Sequence, residues 1–151
     1  MKAEETERIG RMWFEEMWSK PDLHMAEDLI DPEYHPHWIQ MERNGPDLVR
    51  FEIQSFRSIF SDIKFKVIEL KGEKDKVWVW YKGQGTHDGN GWGFEPTHKK
   101  VEFEGAAILF FNSNGLVSDM WDSFCFYDIL QDLGLVPPLG RLKDYLSDFK
   151  K

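Results

Sequence analysis

Apolar residues recur at helical spacing in the first part of the chain and at strand spacing after about residue 62. Ile9, Met12, Trp13 and Met17 stand at i, i+3, i+4 and i+8, the stripe of an amphipathic helix with Thr6 as its N-cap, ending near the Ser-Lys-Pro-Asp stretch at 19–22. A second, short helix is expected after Pro21 and Asp22, burying Leu23, Ala26, Leu29 and Ile30. It stops at Asp31 because Pro32 biases that residue away from helical angles. EYHPHWIQ (33–40) reads as a short extended segment kinked at Pro36. Turn chemistry at Asn44-Gly45-Pro46 then opens a longer helix whose wide apolar face holds Leu48, Phe51, Ile53, Phe56, Ile59 and Phe60.

From Ile63 onward the period is two. Ile63, Phe65 and Val67 alternate, a KGEKD turn follows, and KVWVWYKGQGTH is aromatic on both faces. KKVEFEGAAILFFN alternates again, and NSNG supplies a hairpin turn. The last strand, in GLVSDMWDSFCFYDILQDLG, puts Ser118, Met120, Asp122, Phe124 and Phe126 on one face. Val117, Asp119, Trp121, Ser123 and Cys125 fall on the other. Helices followed by consecutive strands joined by tight turns predict an α+β architecture, with the N-terminal helices packed on one side of a curved antiparallel sheet and enclosing a cone. The length of 151 residues suits a single domain over 1–151, with a core of about 7–134 and a C-terminal tail at 135–151. In that tail Leu142, Tyr145, Leu146 and Phe149 are spaced for a short amphipathic helix.

Charge and composition narrow the partners. With 27 acidic against 19 basic residues the net charge is −8, which opposes a broad grip on nucleic acid or an anionic membrane. Cys125 is the sole cysteine, so no intrachain disulfide forms. The opening MKAEETERIG has no apolar run resembling a signal peptide, and no apolar segment approaches the roughly 18 residues of a membrane span. A cytoplasmic protein is expected. Zinc spacings, a phosphate-binding loop and a dinucleotide fingerprint are all missing from the sequence, and no metal site or cofactor is expected.

Among titratable residues Asp122 stands out, a carboxylate in line with Met120, Phe124 and Phe126. Facing an apolar hollow, it would lose hydration and titrate above its ordinary value of about 3.9, ready to give or take a proton. The same spacing also allows it to cap a turn at the strand end or to pair with a basic side chain. Of five histidines, His35 and His37 form no helical i, i+4 pair and would make a weak chelate. A hydrogen-bonded structural role is open to each of the five. The tryptophans read as core, dimer interface or ligand-stacking surfaces, and glycine-rich GNGWGFEP (89–96) as either a lid or plain turn chemistry.

Four pieces resemble the SnoaL-like polyketide cyclases of the nuclear transport factor 2-like superfamily: WFEEMWSKPDLHMAEDLIDPEYHPH, GPDLVRFEIQSFRSIFSDIKF, GTHDGNGWGFEPTHKKVEFEG and WDSFCFYDILQDLG. They run in family order over roughly residues 7–134. The resemblance implies a cone-shaped α+β barrel, usually a homodimer, with a ligand cavity between helices and sheet. It also implies an intramolecular aldol cyclisation of a small apolar or aromatic carbonyl ligand without metal or organic cofactor. It assigns the essential acid/base to Asp122. His37, His87 and Tyr34 become polar pocket groups, and Trp38, Trp92 and Phe124 ligand contacts. Positions where the cyclases carry Gln, His and Asn fall on Gly105, Ala107 and Pro36, which removes hydrogen-bonding groups and leaves volume. Three readings follow: a cyclase or related lyase or isomerase; a non-catalytic hydrophobic-ligand binder or dimeric scaffold; and an epoxide hydrolase. The last would need an Arg beside two Asp, whereas the sequence holds no Arg between Arg57 and Arg141.

Overall fold

A computed structural model describes residues 1–20 and 22–149, with side-chain surroundings up to residue 146. Helix α1 (Ala3–Met12) runs without a break into one π-helical turn, Trp13–Met17, closed by the i→i+5 bond from the Trp18 N–H to the Trp13 carbonyl at 3.0 Å. It begins four residues earlier than the spacing predicts, with Lys2 at the N-cap position. Thr6 is therefore not its N-cap; the residue is fully buried, its hydroxyl lying 2.8 Å from the Ala3 carbonyl and 2.9 Å from that of Glu73. Helix α2 (Met25–Leu29) is short, and α3 (Gly45–Arg57) buries Leu48, Val49 and Ile53. Phe51, expected inside, faces solvent under the guanidinium of Arg43, 4.4 Å above its ring.

Four antiparallel strands follow: β1 (Lys64–Gly72), β2 (Lys76–Thr86), β3 (Lys100–Phe111) and β4 (Val117–Phe124), in the order β1-β2-β3-β4. The sheet is curved and open, its concavity closed by helices rather than by further strands. The β1 edge does not stay bare. Side chains of the N-terminal helical segment reach down to it, Glu7 accepting from the Gly72 N–H at 2.9 Å, Glu15 from Val67 at 3.0 Å and Ser19 from Phe65 at 2.8 Å. At the other edge Ile30 makes a parallel bridge to Val117, and the Asp31 N–H donates to the Val117 carbonyl at 2.9 Å. The stretch at 33–40 forms turns, not the extended segment expected, with Ile39 bonded back to Pro36 at 3.1 Å.

Two bulges adjust the strand faces, the first in β1, where Ile68 is the extra residue between Val67↔Tyr81 and Glu69↔Trp80. In β4 the pairing passes from Phe110↔Asp119 to Phe111↔Val117, leaving Ser118 as the extra residue. Val117 therefore joins Met120 on the buried side, which strict alternation assigns to Ser118. Phe126 is not on the strand at all; it opens α4 (Phe126–Asp132). One hydrophobic cluster fills the space between the helices and the concave face. The β2–β3 connection, 87–99, is not a tight turn. Beyond β4 the tail forms a single 3₁₀ turn (Leu139–Arg141) and α5 (Leu142–Phe149), with Leu139, Tyr145 and Leu146 exposed. The Phe149 side chain lies outside the described residues.

Candidate functional site

Asp122 sits on β4 directly across from Ala107 of β3, on the concave side of the sheet. Two strands away, the inward-facing run Val77, Val79, Tyr81 carries a phenol toward it. Tyr81 can reach because its own β3 partner is Gly105; a Cβ at that position would lie 2.4 Å from both Cζ and Oη of the tyrosine. The ring thus lies across β3 and its hydroxyl donates to Asp122 Oδ1 at 2.7 Å. The volume that sequence comparison assigns to a missing polar residue at Gly105 is filled by Tyr81.

Burial pushes the Asp122 carboxyl up to about 6, against the Tyr81 hydroxyl and the Ser123 backbone N–H, which both stabilise the anion. The same burial, together with the charge of Asp122, raises the Tyr81 phenol far above its ordinary range, so it remains a proton donor. A weakly acidic phenol on a desolvated carboxylate is the polar pair of the site.

Around the pair the walls are aromatic. The π-helical turn and its end contribute Trp13, Phe14 and Trp18; α3 contributes Phe56; the strands contribute Phe65, Tyr81, Phe103, Met120 and Phe124. Phe14 stacks on Tyr81 at 4.5 Å, fixing the phenol from the helix side. Phe103 and Phe124 meet at 5.4 Å beside the carboxylate's strand. The resulting cleft encloses about 330 Å³ out to its open mouth, of which only about 30 Å³ is wide enough for water to occupy. That inner space has room for one or two water molecules. Among the described residues three buried polar atoms have no hydrogen-bond partner: Trp18 Nε1, in the cleft wall, Tyr34 Oη and Arg57 Nε.

A second carboxyl belongs to the same neighbourhood. Glu52 of α3 is pushed up to about 7, first by burial, then by the charge of Asp122, with His35 acting in the opposite sense. Tyr34, fully buried on the loop before α3, has its phenol raised by burial and by the charges of Glu52, Asp119 and Asp122. His35 donates from Nε2 to the Met41 carbonyl at 3.1 Å, which fixes that tautomer. Sequence reading passed over Glu52 and Tyr81, although both carry a signal. Leu48, Glu52 and Phe56 form one i, i+4, i+8 stripe, so an acid interrupts an otherwise apolar face. Tyr81 continues the inward alternation of β2.

Asp122 and Phe124 line the cleft; Tyr34 lies outside the lining yet within the field of Asp122, and the remaining expected site residues stand elsewhere. His37 is exposed and turned outward, its N–H and Nδ1 both bound to the Asp119 carboxylate at 3.0 and 2.8 Å. It is an exposed residue hydrogen-bonded to Asp119 and lies outside the cleft lining, because the turn at 36–39 aims it off the edge of β4. Trp38, 49% exposed, donates its indole N–H to the Met120 carbonyl at 2.8 Å. His87 is 1% exposed and lies outside the cleft. Its Nδ1 accepts from the Thr97 N–H at 3.1 Å, closing the base of the β2–β3 connection. Trp92 stands one ring behind the wall, against Phe126 at 4.4 Å and Phe56 at 5.9 Å. Its glycine-rich segment is strapped down: Gly89 and Gly91 donate to the Ile59 and Ser58 carbonyls at 3.1 and 3.3 Å. A Cβ on Gly89 would lie 1.9 Å from the Ser58 carbonyl oxygen, so close approach explains the glycine. No group of three potential metal ligands occurs among the described residues.

The family model described as SnoaL-like polyketide cyclase matches residues 9–133. No curated protein matches the chain by sequence. Among solved structures, TsrD from Streptomyces laurentii superposes with a TM-score of 0.80 at 17% identity, over 90% of this chain and 99% of that one. A protein named as a candidate SnoaL-like polyketide cyclase from Jannaschia sp. CCS1 gives 0.76 at 17% identity, over 91% and 95%. IdmH, named as a candidate polyketide cyclase from Streptomyces antibioticus, gives 0.72 at 19% identity, over 86% and 98%. At these identities the likenesses show a shared fold.

Proposed function

The chain belongs to the SnoaL-like polyketide cyclase family, and on that premise we propose that Asp122 exchanges a proton with a small apolar carbonyl compound held in the aromatic cleft. The activity is that of a cofactor-independent cyclase of the intramolecular aldol type, or of a related lyase or isomerase. The Asp122–Tyr81 pair inside aromatic walls is the observation that carries this reading. A carboxyl near 6 is mostly ionised at neutral pH yet basic enough to take a proton from a carbon flanked by carbonyls. Tyr81 holds the carboxylate's other lobe in place while that proton is taken and later returned to the product oxygen. A positioned acid/base of this kind contributes about 10² to 10⁴ in rate. The narrow inner space admits one small group beside Asp122, with the rest of the ligand toward the mouth.

The second reading, a non-catalytic ligand binder or dimeric scaffold, draws on the outer face of the sheet. Trp78, Trp80 and Trp121 are 46%, 44% and 40% exposed there, beside Ile68. Monomers rarely leave so large an apolar patch open, and we assign it to a homodimer contact. A free, exposed Cys125 and the acidic surface suit a cytoplasmic protein.

Deuterium uptake by 2-indanone and 2-tetralone in D₂O, followed by NMR, tests the first reading. Asp122→Asn should lower catalysed uptake about 10² to 10⁴-fold while ligand quenching of tryptophan fluorescence persists. Uptake that survives the substitution overturns it, and quenching without any catalysed uptake selects the second reading.

A further inference from the structure

We propose that the cleft beside Asp122 is a receptor for a small organic cation of the alkylammonium class, taken up against the aromatic rings and neutralised by the Asp122 carboxylate. The inference rests on reading the cleft as a small-molecule site, but not on proton transfer within it.

Eight of the ten lining residues are aromatic, and the remaining two are Met120 and Asp122. No basic side chain is among them. The faces of aromatic rings carry negative potential, and cages of such rings are how proteins recognise alkylated ammonium groups. An uncharged apolar ligand would favour the same rings but would bring no positive charge to the Asp122 carboxylate, which the Tyr81 hydroxyl and the Ser123 backbone N–H stabilise only in part. One carboxylate oxygen accepts from Tyr81; the other has no side-chain partner among the described residues. Arg57, the cation that α3 brings to this end, directs its guanidinium to the carbonyls of Ser61 and Trp18 instead. A hard metal ion would need six or more oxygen ligands, and the wall offers a single carboxylate. A weakly hydrated organic cation satisfies both the rings and the acid. The inner space of about 30 Å³ takes one methyl-sized group beside Asp122, so an alkylammonium head sits with its other substituents in the open part of the 330 Å³ cleft.

The groups that face Asp122 set the pH behaviour. Tyr81 from β2 bonds it directly, and its charge acts on Glu52 from α3 and Tyr34 from the preceding loop, which lie outside the cleft lining; the π-helical turn and β3 offer no titratable side chain to the cleft. Both phenols stay neutral. Binding of a permanently charged ion therefore strengthens as the pH rises through about 6, where Asp122 ionises, and further toward about 7, where Glu52 does.

Calorimetric titration with tetramethylammonium, choline and the uncharged carbon analogue 3,3-dimethylbutan-1-ol, at matched ionic strength, tests the proposal. Choline should bind at least about 10-fold tighter than its neutral analogue, and that preference should shrink severalfold on acidification below the Asp122 titration. Asp122→Asn should abolish the preference while affinity for the alcohol is retained. Phe124→Leu, which keeps the wall apolar, should weaken choline more than the alcohol and serves if the first variant fails to fold. Equal affinity for the charged and uncharged analogues, no binding of either, or a preference that survives Asp122→Asn overturns the proposal. A cleft that exchanges ketone protons yet ignores both ammonium ions overturns this inference alone. Choline binding without ketone exchange overturns only the proton-transfer reading.

Discussion

Replacing Asp122 by Asn should stabilise the protein at neutral pH, and the gain should depend on pH in a specified way. Burial raises the carboxyl from an ordinary 3.8 to about 6. The folded state therefore holds a proton that the unfolded chain releases between those values. Stability from this group is undiminished below about pH 4, falls as the pH rises through the interval, and stays low above it. About two units correspond to roughly 3 kcal/mol. Asn keeps an oxygen for the Tyr81 hydroxyl but places an amide N–H₂ in an apolar cleft, which offsets about 1 kcal/mol. The net gain above neutrality is about 1–3 kcal/mol, or roughly 3–10 °C in Tm for a chain of this size. Asp122 also raises Glu52, so removing its charge lets Glu52 ionise more easily and extends the rise toward about pH 7. Urea titrations of both proteins, read by tryptophan fluorescence from about pH 4 to pH 8, give the difference directly. Parallel stability curves across that range would refute the desolvated carboxylate.

Other substitutions probe the surroundings. Gly105→Ala places a methyl against the Tyr81 ring and should cost about 1–3 kcal/mol, offset by roughly 0.5–1 kcal/mol from replacing a strand glycine; an NMR titration should also show Asp122 moving further up as its donor is displaced. Tyr34→Phe removes a buried hydroxyl without a partner, so melting should show stability unchanged or raised by about 1 kcal/mol. Trp78→Glu with Trp121→Glu should convert a dimer to monomers in sedimentation, with far-UV circular dichroism unchanged. His37→Ala breaks an exposed hydrogen bond to Asp119 and should shift stability by no more than about 1 kcal/mol in the same urea assay.

The element types were legible because each rests on a periodicity that packing then rewards. Ile9, Trp13 and Met17 face the core of an α+β layout, and Met120, Asp122 and Phe124 point to its concave side, as their spacing implies. What spacing could not carry was anything decided by an extra residue or by a partner distant in the chain. The bulge at Ser118 turned Val117 inward, and Thr6 was drawn inside by the Glu73 carbonyl. Tyr81 meets Asp122 only because β3 lies between them with a glycine at the crossing point, a fact of register that no single strand contains. His37 and His87 sit beside the right strands, but the direction of each ring is set by local bonds to Asp119 and Thr97. Glu52 was readable in principle as an acid in an apolar stripe. The influence of Asp122 on it became apparent only once α3 was laid over the sheet.

Residues 88–96 leave the sheet and return through one doorway, where backbone bonds join His87 to Lys99 and His98 to His87 at 2.9 Å each. With its two ends fastened side by side, this stretch is a removable cassette. Grafting a longer or shorter version would move Trp92, which backs Phe56 of the cleft wall, while the strands that carry Tyr81 and Asp122 kept their alignment. The backing of the cleft wall at Phe56 and the Asp122–Tyr81 pair are thus separable by engineering.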